Sequence, residues 1–391
     1  MNATHSLSGA AAIVGLGITE MGRVYGRSAN QLAADATRLA LADAELTMDA
    51  VDGLLISPGV TRELTLDVQV EMGLRDLSLM SSVQAFGASA GIMVQLASMA
   101  VASGMATTVV CVFADAPLIP GKPAGDIYVG PRAPTGWADV RRAAGVGSPT
   151  LLYSLAARRH MLTYGTTTEN FGSIAVAQRA WAQLNPLALM RDPMTLADHQ
   201  ESRVISDPLR LLDCCMVSNG AIAVIVTSSD RARTLRQPPV SVLGWGQGHP
   251  GTSFRSDENF GLVTGATQSG RASLAMAGVT IEDIDIAEIY DCYTYTLLVT
   301  LEDYGFCAKG EGGDLVSTPG VLGPEGSLKV NTGGGQLSGY YMWGMTPLSE
   351  AVIQARGQAG QRQVSKHDLV MVSGNGGILD HHSTLVLGSA A

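Results

Sequence analysis

The residues best suited to chemistry fall in three short stretches late in the chain and one early. Ile289-Tyr290-Asp291-Cys292-Tyr293-Thr294-Tyr295 combines three phenols, a carboxylate and a thiol just ahead of a helical pattern. Asn331-Thr332-Gly333-Gly334-Gly335-Gln336-Leu337-Ser338-Gly339-Tyr340-Tyr341-Met342-Trp343-Gly344 sets two adjacent phenols beyond a run of glycines. Ser373-Gly374-Asn375-Gly376-Gly377 is a third such turn, shortly before His381 and His382. Phenols and carboxyls transfer protons, and open α/β sheets place such groups on loops at strand ends. The early stretch, Gly87-Ala88-Ser89-Ala90-Gly91, has the G-x-S-x-G form of a nucleophile elbow. Ser89, an acid such as Asp291, and His381 or His382 would complete a hydrolase triad in chain order. No HGGG-like oxyanion loop accompanies it, and small residues at a strand-to-helix turn also serve close packing.

Other motifs carry less. Val14-Gly15-Leu16-Gly17 hints at a dinucleotide fingerprint, but the third glycine and the immediately following helix are missing. There is no Walker A sequence and no HExxH, and His381-His382 has no metal-ligand spacing to the other histidines, so no metal is expected. Cys111, Cys214, Cys215, Cys292 and Cys307 are odd in number and lack CxxC spacing, which indicates neither a disulfide framework nor a zinc site.

Composition bounds the rest. The 391 residues are 46% hydrophobic and 15% charged, which excludes a disordered chain and suits two to three domains or one duplicated fold. A net charge of −10 without a basic patch argues against nucleic-acid binding. Residues Met1 to Ser8 lack a basic n-region, and no apolar run reaches ~18 residues without polar breaks. A cytoplasmic, reducing setting with no membrane span is therefore expected. Glycine is in excess, with 46 residues against a usual ~7%. Six of the ten tyrosines fall between Tyr290 and Tyr341.

The elements that must position these groups read as α/β. Strands are expected at Ala11–Ile18, Val51–Ile56, Met80–Ala85, Thr107–Phe113 and Ala221–Thr227, with helices at Ala29–Ala44 and from the Gly87 turn to Ser103. Residues 115–210 read as an excursion, with helices around 150–163 and 170–183. Ser228–Pro239 is the best linker. Beyond it the pattern restarts: Ala42–Asp52 and Ala275–Asp285 share the end of an apolar helix, a threonine-led turn and entry into a strand, 233 residues apart. That offset is too long for a solenoid and implies two similar α/β halves, 1–235 and 240–391.

At these residues the chain resembles the thiolase superfamily, in particular its sterol carrier protein type. The resemblance runs over nearly the whole length and includes Ile13–Gly17, Ser218-Asn219-Gly220-Ala221 and the sheet-end loops. It implies two βαβαβαββ halves in a five-layered αβαβα sandwich, a dimer, and work on coenzyme A thioesters with no separate cofactor. The departures are informative. The nucleophilic cysteine falls on Gly87, the His-Asp-Cys-Phe motif becomes Tyr290-Asp291-Cys292-Tyr293, and Tyr341 falls on the histidine of Gly-His-Pro. Without a thiolate there is no acyl-enzyme, so ordinary thiolysis is excluded.

This pattern resembles the thiolase-like aldolases that cleave steroid side chains. The resemblance implies retro-aldol cleavage of a β-hydroxy steroid acyl-CoA to a 17-keto steroid and propionyl-CoA. It also implies a small partner with an OB-fold and zinc ribbon that binds acyl-CoA. Tyr290 is then the expected base, with a lowered phenol pKa, and Tyr341, or else Tyr340, the acid; the two roles are exchangeable. Backbone N–H groups of Gly87 and of Gly376 or Gly377 would hold the oxyanion. Asp291 would orient its loop, and Tyr293, Tyr295, Asn331, His381 and His382 are candidates for the pocket. The competing expectations are a Cys-less thiolase relative with other acyl-CoA chemistry, the Ser89 hydrolase, and a non-catalytic acyl-CoA or lipid-binding subunit.

Overall fold

A computed structural model of the protein describes residues 7–128, 143–251 and 259–389. Its framework is one mixed sheet of nine strands in the order β3-β2-β4-β7-β1-β8-β11-β10-β9. In chain order these are β1 Ala11–Ile18, β2 Gly53–Pro58, β3 Leu79–Ser82, β4 Thr108–Asp115, β7 Gly220–Ser228, β8 Val240–Gly248, β9 Ile286–Ile289, β10 Leu369–Gly376 and β11 His381–Gly388. Between β4 and β7 lies a separate hairpin, β5 Val204–Ser206 and β6 Leu209–Arg210.

The sheet consists of two half-sheets of like order. In one, β1, β7, β4, β2 and β3 run side by side; in the other, β8, β11, β10 and β9 follow, with Val330 bridging parallel to Ala287 at the far edge. They join through the pairs Ala12–Ser241 and Ile13–Val240, with Gly9 N–H donating to the Val242 carbonyl beside them. The repeat keeps its offset in space: the short turns Met48–Ala50 and Ile281–Asp283 are 233 residues apart, as are the starts of β2 at Gly53 and β9 at Ile286.

Each half lays an outer helix on its first strand. Helix Ala29–Asp43 packs on β1 and β7, and Ala266–Ala277 packs on β8 and β11. Ser28 and Gln31 form a capping box that starts the first of these. The glycines flagged in the dinucleotide-like stretch explain the fit. A β-carbon on Gly15 or Gly17 would overlap the carbonyl oxygens of Ala40 or Ala36, and Gly244 and Gly246 stand in the same relation to Ser273 and Ser269. These glycines let a helix backbone touch a strand, and no nucleotide is needed to account for them.

Two further helices, Ser89–Ala102 and Met345–Ala355, are apolar or buried on most sides and pack against strands of both half-sheets. They form the middle layer of the sandwich. The excursion contributes helices Pro149–Tyr164, Thr168–Gln183 and Leu196–Glu201. The second of these packs on the turn Gly335–Gly339 and on helix Gly312–Ser317.

Several bounds shift slightly from the sequence reading, and two departures are larger. Strand β3 stops at Ser82 because the chain turns into a short helical turn at Phe86–Ala88, and the linker holds a short helix, Ser229–Ala232. Among the described residues, no helix is long and apolar enough to cross a membrane. Gly246→Ala should destabilise the fold by about 3 kcal/mol, because helix backbone cannot yield as a side chain can. A thermal midpoint matching the parent protein would contradict this account.

Candidate active site

Tyr290 leaves the end of β9, where its N–H extends the parallel pairing by donating to the Ser373 carbonyl at 3.1 Å. The residue before it is clamped: the Asn331 amide accepts from Ile289 N–H at 2.6 Å and donates to Ile289 carbonyl at 2.8 Å. Tyr341 follows the turn Gly335–Gly339, and its N–H reaches Ser218 Oγ at 3.3 Å. The two phenol oxygens meet at 3.1 Å.

Beneath this pair lies Gly87, just ahead of helix Ser89–Ala102. A β-carbon at residue 87 would overlap Cε2 of Tyr290 and the carbonyl oxygen of Asn375. The Tyr290 ring thus fills the space that any side chain at 87 would use. The loops close in from other sides as well. A β-carbon on Gly344 or Gly374 would overlap the Gly87 carbonyl oxygen, and one on Gly376 would sit 3.1 Å from Gly87 N.

The turn carrying Tyr341 is fastened from several sides. Asp291 Oδ1 accepts from Gln336 N–H at 2.8 Å, and the Gln336 side chain donates to the Trp343 carbonyl at 2.8 Å. From the excursion, Arg179 Nε donates to Ser338 Oγ at 2.9 Å and Leu189 N–H to the Gly339 carbonyl at 2.8 Å. Gly334 and Gly335 both take positive φ in this turn, +91° and +58°.

The electrostatics correct one expectation. Burial pushes the Tyr290 phenol well above its ordinary value; nearby Cys292 and Cys215 add to this, and the Tyr341 hydrogen bond acts in the opposite direction. Burial raises Tyr341 in the same way. Both phenols are therefore neutral at rest. Asp291 is pushed up to about 7 by burial, against the backbone N–H groups of Gln336 and Leu337. The Gln178 side chain beside its other oxygen acts in the same downward direction as those N–H groups.

Of the remaining sequence candidates, several lie elsewhere. Tyr340 points away from the pair, its hydroxyl 2.9 Å from Ser349 Oγ on helix Met345–Ala355. Tyr295 is fully buried, donates to the Gly261 carbonyl and packs edge-on to His160 and Phe171. Its helix turns it away from the pocket. His382 is buried with Nε2 3.3 Å from Ser373 Oγ, and burial depresses its pKa to about 3. His381 stacks on Phe86 and meets His249 Nδ1 at 3.1 Å. Tyr293 stacks on Tyr153 and hydrogen-bonds Thr150 at 2.8 Å. Ser89 is 1% exposed and its Oγ accepts from Ala85 N–H at 2.8 Å, so it caps the turn and is no nucleophile.

Sequence reasoning missed Tyr128. This residue ends the short turn Ala124–Tyr128 of the excursion; burial raises its phenol pKa, and Tyr341 acts in the opposite direction. It stands alone in a glycine- and proline-rich stretch, with no periodicity to draw attention to it.

A thiolase sandwich with glycine under two paired phenols defines a member of that superfamily without a nucleophile. The Thiolase C-terminal domain-like family model matches residues 246–389. A steroid side-chain-cleaving aldolase of Thermomonospora curvata is 38% identical over 95% of this chain and 96% of its own. A 17-hydroxy-3-oxo-4-pregnene-20-carboxyl-CoA lyase of Mycobacterium tuberculosis is 36% identical over 95% of this chain and 97% of its own. The solved Ltp2-ChsH2(DUF35) aldolase superposes with a TM-score of 0.87 at 36% identity, covering 98% of this chain and 99% of that one. Human mitochondrial 3-ketoacyl-CoA thiolase, at 15% identity and a TM-score of 0.69, shares the fold. The chain belongs to the thiolase superfamily, in the family of the steroid side-chain-cleaving aldolases.

Two outcomes follow from this geometry. Gly87→Ala should push Tyr290 off Tyr341 and lower turnover at least 100-fold while circular dichroism stays native; near-normal turnover would refute the packing argument. The raised Asp291 carboxyl contributes stability that is full below about pH 4 and is lost as pH rises through about 7, since the folded state holds the proton longer. Asp291→Asn should therefore flatten the fall in urea-unfolding stability between pH 5 and 7 by up to about 1.4 kcal/mol per pH unit.

Proposed function

We propose that the protein is a carbon–carbon lyase that splits a β-hydroxy steroid side-chain acyl-CoA into a 17-keto steroid and propionyl-CoA. The observation that carries this reading is the 3.1 Å contact between the Tyr290 and Tyr341 hydroxyls above a residue that has no room for a nucleophile. A retro-aldol step needs no covalent intermediate. The tertiary hydroxyl loses its proton, its C–O bond becomes a carbonyl, and the adjacent C–C bond breaks. The electron pair moves into the thioester enolate, which takes a proton on carbon.

Two neutral phenols in contact can carry this sequence. Tyr290 accepts the substrate proton as it passes its own to Tyr341, and Tyr341 delivers its proton to carbon. Both residues begin and end neutral, which suits phenols whose ionisation burial opposes. The net change is one proton moved from oxygen to carbon, so the reaction calls for no cofactor beyond the coenzyme A of the substrate. Backbone N–H groups of Gly87 and of Gly376 or Gly377 would receive the thioester oxygen, and one such donor contributes about 3 kcal/mol in a dry site.

The wider setting belongs to the same reading. The relative solved as Ltp2-ChsH2(DUF35) supports a partner subunit, taken here as a small OB-fold and zinc-ribbon protein that binds acyl-CoA. A homodimer would form along strand β3, an open edge of the sheet. The five free cysteines fit a reducing, cytoplasmic location.

The test is release of propionyl-CoA from a β-hydroxy steroid acyl-CoA, followed by chromatography, with and without the partner subunit. Tyr290→Phe and Tyr341→Phe should each lower kcat at least 100-fold with the fold intact. A loss below tenfold for either is too small for a proton-transfer group and would sink the relay. Bound but unreacted thioester under all conditions would favour a non-catalytic subunit.

A further inference from the structure

Resting on the reading above, we infer that Glu288 is a positioning residue for the reaction. It is a protonated carboxyl that, through Thr332, clasps together the strand carrying Tyr290, the loop leading to Tyr341 and the helix beyond it. The hydrogen count at Thr332 carries this. Thr332 Oγ1 lies 2.7 Å from Glu288 Oε1 and 3.0 Å from Glu350 Oε1, and it accepts from the Gln354 side-chain amide at 2.9 Å. A hydroxyl brings one hydrogen and two lone pairs. Two ionised carboxylates would need two hydrogens from it, so one carboxyl supplies its own. Arg362 decides which. Its Nε and Nη2 reach Glu350 Oε1 and Oε2 at 2.8 and 3.0 Å, the two-pronged contact of an ionised carboxylate. The proton therefore rests on Glu288, and the chain runs from the Glu288 carboxyl to the Thr332 hydroxyl to the Glu350 carboxylate.

The three parts joined in this way are the ones that hold the phenols. Glu288 lies on β9 just ahead of Tyr290, and its Oε1 also accepts from Thr332 N–H at 3.0 Å. Asn331, next to Thr332, is the residue that clamps Ile289. Gly334 N–H returns to the Asn331 carbonyl at 2.8 Å and opens the turn that delivers Tyr341. Glu350 belongs to helix Met345–Ala355, which starts shortly after Tyr341. Glu288, Thr332, Gln354 and Glu350 are all buried, so the clasp acts from behind the phenols and touches no substrate.

The electrostatics agree with the geometry. Burial pushes the Glu288 carboxyl up to about 8; the charges of Glu350 and Asp291 add to this, and the Thr332 contacts act the other way. Among the described residues, the titratable and charged groups facing Glu288 are Glu350 on its helix, Asp291 beyond β9, Tyr340 and Arg362. Glu350, Asp291 and Tyr340 line one small cavity with it. Once Glu288 ionises, two carboxylates confront each other across a single hydroxyl that can satisfy only one. The stability held by this proton is full below about pH 4 and is lost as pH rises through about 8, since the folded state holds the proton longer.

The test follows cleavage of the β-hydroxy steroid acyl-CoA across pH by the intact protein with its partner subunit. In the parent, kcat should fall about fivefold between about pH 7 and 9 while KM stays within about twofold. Glu288→Gln, which holds no titratable proton, should keep kcat at about pH 7 within roughly threefold of the parent and lose most of that fall. A parent kcat that stays level over this range, a fall of undiminished size in Glu288→Gln, or a change confined to KM each overturns the assignment. Absence of cleavage by the parent at every pH would instead overturn the reading on which it rests. Hydrogen exchange on the parent without substrate provides the second arm, which serves equally if Glu288→Gln fails to fold. After correction for the intrinsic rate, amides of residues 331–339 should lose about fivefold in protection between about pH 7 and 9 while those of β1 keep theirs. Equal protection at both pH values overturns the assignment.

Discussion

The ring of Tyr290 and the backbone of Gly87 exclude every other arrangement at the centre of this molecule. One atom added to residue 87 would overlap the phenol ring and the Asn375 carbonyl oxygen together, and interiors packed at crystal density do not absorb such an overlap. The loss of a nucleophile and the gain of a tyrosine are thus a single structural fact. A cysteine at 87 needs the ring gone, and the ring at 290 needs residue 87 bare. The surrounding loops follow suit, since Gly344, Gly374 and Gly376 each bring backbone against residues 85–87 where a side chain would hold it off. The excess of glycine along the chain is partly the mark of this convergence.

The same crowding decides how the protons move. A phenol in water ionises near pH 10, and burial drives Tyr290 and Tyr341 further from ionisation. A free phenolate base is therefore the wrong picture for this pocket. What burial removes in acidity it returns in hydrogen bonding, because a contact between two hydroxyls is stronger where water is absent. Handing a proton along a 3.1 Å contact avoids placing a full charge on either oxygen. Asp291 fits the same pattern from a different position. Its work is to accept the Gln336 N–H and so hold the turn behind Tyr341, a task that a carboxyl performs whether or not it carries a proton.

Much of this fold was legible because its strands are buried on both faces and read as continuous apolar runs. Strand β1 has the bounds its hydrophobic pattern marks, Ala11–Ile18, and the helix after it differs by one residue at its end. The duplication was legible because a helix end, a turn and a strand entry recur together. Side-chain direction was not. Tyr340 and Tyr341 are neighbours in sequence, and only the positive-φ turn before them decides that one faces Ser349 and the other Tyr290. Tyr295 was a pocket candidate from its place in the same stretch as Tyr290, but it sits in the first turn of a helix whose buried face carries it to Gly261. Ser89 matched a motif whose meaning depends on exposure, and exposure is a property of the packed state. Tyr128 was invisible for the opposite reason: nothing local marks a residue that a long excursion carries to the neighbourhood of Tyr341.

The duplication also explains why the site lies where it does. Helices Ser89–Ala102 and Met345–Ala355 occupy equivalent places in the two halves; the first starts just after Gly87, which packs on the Tyr290 ring, and the second just after Tyr341. Their N-terminal turns touch, for a β-carbon on Gly344 would run into the Gly87 carbonyl oxygen. Each helix start leaves backbone N–H groups without intrahelical partners and carries partial positive charge. Two such ends converging in a water-poor site favour an anion between them more than either does alone. The negative charge of a retro-aldol reaction appears on the thioester oxygen as the C–C bond breaks. In the proposed reaction, a duplicated fold that brings two helix starts to one spot would supply the stabilisation that this moment requires. The field for the oxyanion would then come from backbone, which the substitution at residue 87 leaves in place.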